Sequence, residues 1–128
     1  MKITLTPEQS AILIAKGISA EKASRQGERI YKTVELQNGS IKRVFDGYEP
    51  IFTLADVCSL LPKEVVTDTI MCDDDVCPIS IRWDKNCQKW FVGYDLVPHP
   101  VGVGVDSELI DALFSTLCWV IEQNLLTK

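Results

Sequence analysis

Residues 79–94 read Ile79-Ser80-Ile81-Arg82-Trp83-Asp84-Lys85-Asn86-Cys87-Gln88-Lys89-Trp90-Phe91-Val92-Gly93-Tyr94. Two runs of alternating character flank a polar centre, the pattern of a half-buried antiparallel hairpin. A four-residue loop over residues 85–88 sets Trp83 opposite Trp90, Ile81 opposite Val92 and Ile79 opposite Tyr94. All six then share one face, with Ser80 and Arg82 on the other. A two-stranded ribbon cannot hold such a face by itself and needs a cover.

The cover is expected from residues 106–126, which carry helical periodicity over about 30 Å at 1.5 Å per residue. Leu109, Ile110, Leu113, Phe114, Leu117, Cys118, Val120, Ile121 and Leu125 fill one half of the wheel, and Glu108, Asp111, Ser115 and Glu122 the other. Asp106 is the expected cap, with Val105 stapled onto Ile110. Trp119 falls outside the apolar half, beside Ala112 and Leu126. A tryptophan there packs under another element or meets another molecule, so Trp119, Leu126 and Ala112 form a candidate partner interface.

Towards the N-terminus, Thr6, Pro7 and Gln9 spell a capped helix start, and Gly17 a stop. Ser19 caps an expected second helix ending near Gly27. Residues 29–37 and 40–46 flank Asn38-Gly39, a two-residue hairpin signal that pairs Leu36 with Ile41 and Glu35 with Lys42. Thr53 and Asp56 form a capping box, Phe52 staples onto Val57, and Pro62 closes that helix. Residues 65–72 have strand composition. The expected fold is one α+β domain over residues 1–128, of order ααββαβββα. Its antiparallel hairpins pack against a long C-terminal helix, behind an N-terminal helical hairpin.

Composition narrows the function classes. The net charge of −5 splits unevenly: residues 1–43 carry eight basic and four acidic side chains, and the remainder five and fourteen. An acidic whole disfavours nucleic-acid binding. No apolar run approaches the ~18–20 residues of a membrane span. Five cysteines, an odd number, fit free thiols in a reducing cytoplasm.

No cofactor or metal is expected. Cys72 and Cys77 flank an acidic turn, but structural zinc needs four ligands, and the single His99 stands between two prolines. Gly102-Val103-Gly104 precedes the last helix but lacks the third glycine of a phosphate loop, and Asp106 opposes an anion there. These read as turn glycines. Catalysis by His99 with a cysteine has no named nucleophile, and no catalytic constellation assembles.

Residues 7–26 are similar to a helix-turn-helix, with Gly17 at the turn and Ser19 capping the second helix. The resemblance implies Lys22, Ser24 and Arg25 as groove readers, and Arg29, Lys32, Lys42 and Arg43 as phosphate contacts on a hairpin wing. The departures are Leu13 where a small residue is usual, Ala23 for a branched anchor, and no third helix nearby.

Across the chain, the stretches Leu5-Thr6-Pro7-Glu8-Gln9-Ser10, Gly17-Ile18-Ser19-Ala20-Glu21-Lys22-Ala23-Ser24, Pro50-Ile51-Phe52-Thr53-Leu54-Ala55-Asp56, Leu60-Leu61-Pro62-Lys63-Glu64 and Glu108-Leu109-Ile110-Asp111-Ala112-Leu113 form a pattern. It resembles small uncharacterised proteins encoded by bacteriophages and prophages of gut Bacteroidota. That resemblance implies a phage-borne accessory protein in the cytoplasm of a bacterial host, and carries no activity or site residues. The expected function is non-enzymatic binding to a protein partner or a second copy. DNA binding through residues 7–26 is the alternative.

Overall fold

The computed structural model describes residues 1–67, 75–95 and 100–126. Cys72, His99 and most of the acidic turn beside Cys72 lie outside the described residues. Helix α1 spans Pro7–Ala15 and begins as a capping box, with the Thr6 side chain accepting from the Gln9 amide and the Gln9 side chain from the Thr6 amide. It ends where Gly17 takes a positive φ of 107° and the amides of Gly17 and Ile18 turn back to the carbonyls of Ile14 and Leu13.

The expected second helix is a single 3-10 turn, Ala20–Lys22. Ser19 does cap it. The chain then turns extended because Ser24 donates both its amide and its hydroxyl to the Asp56 carboxylate, which a continuing helix would not allow. No two-helix reading unit therefore stands over residues 7–26, and the N-terminal helical hairpin is one helix and one turn.

Strands β1 (Arg25–Glu35) and β2 (Ile41–Ile51) form a separate two-stranded antiparallel ribbon. Its tip differs by one residue from the expected register: Glu35 faces Ile41 and Val34 faces Lys42. The loop holds three residues. The Gly39 amide donates to the Leu36 carbonyl, Leu36 donates to Ser40, and Gly39 has φ 84°, a turn closed by a glycine bulge. The Asn38 side chain accepts from the Ser40 amide and hydroxyl and draws Ser40 into the loop end.

Helix α2 (Leu54–Leu60) starts in the expected Thr53–Asp56 capping box. Behind it runs a four-stranded antiparallel sheet in sequence order, β3 (Glu64–Thr67), β4 (Asp75–Asp84), β5 (Lys89–Tyr94) and β6 (Val101–Asp106). The β4–β5 register pairs Trp83 with Trp90, Ile81 with Val92 and Ile79 with Tyr94, as the alternation requires. Strand β6 is the element the sequence hides, since Val101-Gly102-Val103-Gly104-Val105-Asp106 reads as a glycine turn.

Helix α3 (Leu109–Glu122) lies over β5 and β6. Glycine is required beneath it. A Cβ at Gly104 would sit 2.1 Å from the Ala112 carbonyl oxygen, and one at Gly102 2.4 Å from the Trp119 ring. The buried stripe of α3 is Ile110, Ala112, Leu113, Thr116, Leu117 and Val120, rotated from the expected apolar half towards the flat glycine surface of β6. Thr116 is satisfied there by donating to the Val92 carbonyl at 3.1 Å.

The helix is also shorter than the hydropathy pattern, about 21 Å for its 14 residues. At its start Asp106 belongs to β6, and its carboxylate accepts from the Glu108 amide. At its end Asn124 adopts φ 57°, and the Asn124 and Leu125 amides close on Ile121 and Val120. Ile81 and Trp83, on the face expected to be covered, are consequently 46% and 43% exposed.

The core joins Leu5, Leu13, Phe52, Val57, Val65, Cys77, Val92, Tyr94 and the inner face of α3. Lys2 ties the N-terminal segment to that helix, its ammonium donating to Asp111 at 2.8 Å and to Gln9 at 3.2 Å. Among the described residues no helix is long and apolar enough to cross a membrane.

Candidate functional site

The β1–β2 ribbon stands apart from that core as an arm. Ten of the eleven residues of β1 are exposed, and a solvated two-stranded ribbon buries little that would stabilise the fold. Its root is fixed instead by Asp56. One carboxylate oxygen accepts from the amides of Ser24 and Thr53, at 2.8 and 2.9 Å, and the other accepts from the Ser24 hydroxyl. Burial pushes this carboxyl up, but the hydrogen bonds from Ser24 and Thr53 outweigh it and hold the group below the usual carboxylate range. Ile51, across from Arg25, is buried and clamps the root from the other strand.

Two bulges shape the arm. β1 carries an extra residue at Gly27 and Glu28, and β2 carries one at Asp46 and Gly47, where Gly47 has φ 104°. The second bulge brings Phe45 and Tyr48 onto the same face although they are three residues apart. Phe45 is central, with ring centroids 6.2 Å from Tyr31 and 5.3 Å from Tyr48, both edge-to-face. The Arg43 guanidinium lies 4.8 Å over the Tyr31 ring, and Arg29 stands across from Tyr48. The three rings remain 44%, 50% and 42% exposed in the order Tyr31, Phe45, Tyr48. Rigid aromatics beside arginines make the composition enriched at the centres of protein interfaces.

The residues singled out from sequence divide around this cluster. Arg43 belongs to it, whereas Lys42 pairs with Val34 on the opposite face. Lys22 is exposed on the 3-10 turn and Arg25 begins β1. Ser24 gives both its amide and its hydroxyl proton to Asp56. Ala112 is fully buried and lends no surface to a partner. Trp119 packs over Gly102 with its ring centroid 6.3 Å from Tyr94, so its off-face position is answered within the chain. Leu126 packs against the core.

The local sequence pattern does not single out Tyr31, Phe45 and Tyr48. The signal for them was Asp46-Gly47, a glycine inside a strand pattern, which marks a bulge and brings the flanking aromatics together.

Elsewhere the outer face of the four-stranded sheet exposes Val66, Val76, Val103 and Val105 around Phe91, over which Arg82 lies at 5.1 Å. The cleft beside it, lined by Ser80, Asp95 and Val103 among others, measures about 50 Å³, far below the several hundred Å³ of small-molecule sites. Among the described residues no group of three His, Cys, Asp or Glu side chains is placed to hold a metal ion.

Comparison with family models, curated proteins and solved structures finds no match.

Proposed function

We propose that the chain is a non-enzymatic accessory protein, of the phage-borne kind its sequence resembles, that binds another protein through the β1–β2 arm. The observation that supports this reading is the Tyr31–Phe45–Tyr48 cluster. It is a preorganised aromatic patch on an element whose β1 strand is exposed at ten of eleven positions, held out by a root locked to Asp56. The charge of the arm favours protein over nucleic acid. Strands β1 and β2 carry five basic and four acidic side chains, so a phosphate backbone laid along them meets carboxylates as often as cations.

The test compares the full chain with its Tyr31→Ser/Phe45→Ser variant as baits in a bacterial lysate, alongside binding to a mixed DNA pool at low salt. A protein retained by the wild type and lost by the variant supports the reading. Capture that ignores the substitutions, or DNA binding that weakens steeply with salt and depends on Arg43, contradicts it.

A further inference from the structure

Edge strands are usually short, charged inward or covered, because an unpaired row of N–H and C=O groups recruits another strand. β1 is neither short nor covered, and although its bulge at Gly27 and Glu28 interrupts one end, residues 29–35 form a regular open stretch. It runs eleven residues without proline, and among the described residues only β2 pairs with it. At the tip, Leu36 turns its N–H to Ser40 and its carbonyl to Gly39. Strand alternation therefore turns the N–H groups of Glu35, Thr33 and Tyr31 away from β2, towards the open edge.

We infer that a second copy of this chain fills that edge, β1 pairing antiparallel with β1 about a two-fold axis at Ile30. This rests on the protein-binding reading of the arm and names its partner. A two-fold contact must be self-complementary, and the charges of β1 are so for this axis. Glu28 meets Lys32 of the second copy, and Arg29 lies against Tyr31 of the second copy. Each relation occurs twice. Placing the axis at Glu28, Arg29 or Lys32 sets a charge against its own duplicate, and placing it at Tyr31 leaves no opposite-charge pair. Only the Ile30 axis near the strand centre combines opposite charges with an apolar pair, Ile30 on Ile30, at the crossing. The product is a four-stranded sheet made of two arms, which supplies the strand number that a lone ribbon lacks.

Sedimentation equilibrium of the full chain, from micromolar to millimolar concentration, tests the pairing. The expected species has twice the 14.3 kDa mass. Glu28→Lys and Lys32→Glu should each weaken the dimer about tenfold, because two cross-strand pairs change from attraction to repulsion. The double variant should return to within a few-fold of wild type. Thr33→Pro removes an N–H on the open edge but none from the β2 ladder, so it should give a folded monomer, checked by tryptophan fluorescence. A wild type that is monomeric throughout overturns the inference, as does a dimer unmoved by all four variants. If the wild type is monomeric while arm-dependent capture of another protein persists, self-pairing falls and the protein-binding reading stands. If the charge-dependent dimer forms without capturing anything else, the second copy is itself the partner.

Discussion

Gly102 and Trp119 are in direct apposition: a methyl group on the Gly102 Cα would lie 2.4 Å from Cε3 of the indole. This contact turns an off-face tryptophan into part of the core, because β6 lies flat enough for the ring to rest on its backbone. Gly102→Ala therefore meets two obstacles, the ring and a φ of 65°. A loss of about 2–4 kcal/mol in urea unfolding is expected, from overpacking together with left-handed strain. Combining it with Trp119→Leu should recover part of the steric share. Equal loss with and without the indole would show that the ring is not the obstacle.

Gly104 faces the backbone of α3, with a Cβ position 2.1 Å from the Ala112 carbonyl. Backbone yields less than a side chain does. Gly104→Ala is expected to cost about 3 kcal/mol or more, through displacement of α3 from β6. A change below about 0.5 kcal/mol would mean that the helix does not sit on this strand.

Asp56 makes stability depend on acid. Its folded pKa lies below the ordinary 3.8, so its contribution is complete above that value and disappears as pH falls through the lower folded one. Asp111 behaves in the same sense: burial raises it, and the hydrogen bonds from Lys2 and Gln9 lower it further than that. Asp56→Asn should lose about 1–3 kcal/mol at pH 7, since a hydrogen-bonded carboxylate is replaced by a weaker acceptor. It should also flatten the stability profile below pH 4. A variant profile parallel to wild type in that range would remove Asp56 from the account.

At the alkaline end the relevant group is Tyr94, whose hydroxyl donates to the Pro62 carbonyl at 2.7 Å. Burial pushes this phenol up to about 12 from 10. A raised phenol favours the folded state until the unfolded chain ionises, so stability should hold below pH 10 and decline from there to about 12. Ultraviolet difference titration should show one tyrosine ionising near pH 12, absent in Tyr94→Phe. Complete ionisation of all tyrosines by pH 11 in the folded protein would contradict its burial.

The parts of this fold legible in the sequence are those fixed by neighbours in the chain. Thr6, Pro7 and Gln9, and likewise Thr53 and Asp56, act over three residues, so their caps can be read directly. The Trp83–Trp90 register follows from one loop and a strict alternation. What was hidden depends on distant contact. The glycines of β6 imitate a turn because their reason for being glycine is α3, eight to seventeen residues on. Ser19 promises a helix that Asp56, 32 residues beyond Ser24, takes apart. Asn38-Gly39 announces a hairpin but not its register, which Ser40 decides by bonding to Asn38. The aromatic patch stayed hidden because a bulge at Gly47, not a period of two, brings Phe45 and Tyr48 together.

Whether the arm is an interaction surface or a misplaced piece of core is decided most directly by urea unfolding of Tyr31→Ser/Phe45→Ser. The tryptophans Trp83, Trp90 and Trp119 all lie outside the arm and report on the remainder of the fold. The account predicts an unfolding free energy within about 0.5 kcal/mol of wild type, with an unchanged slope, as for solvent-exposed positions. A loss of about 3 kcal/mol or more, the cost of truncating a buried aromatic, would contradict it by showing that these rings hold the protein together.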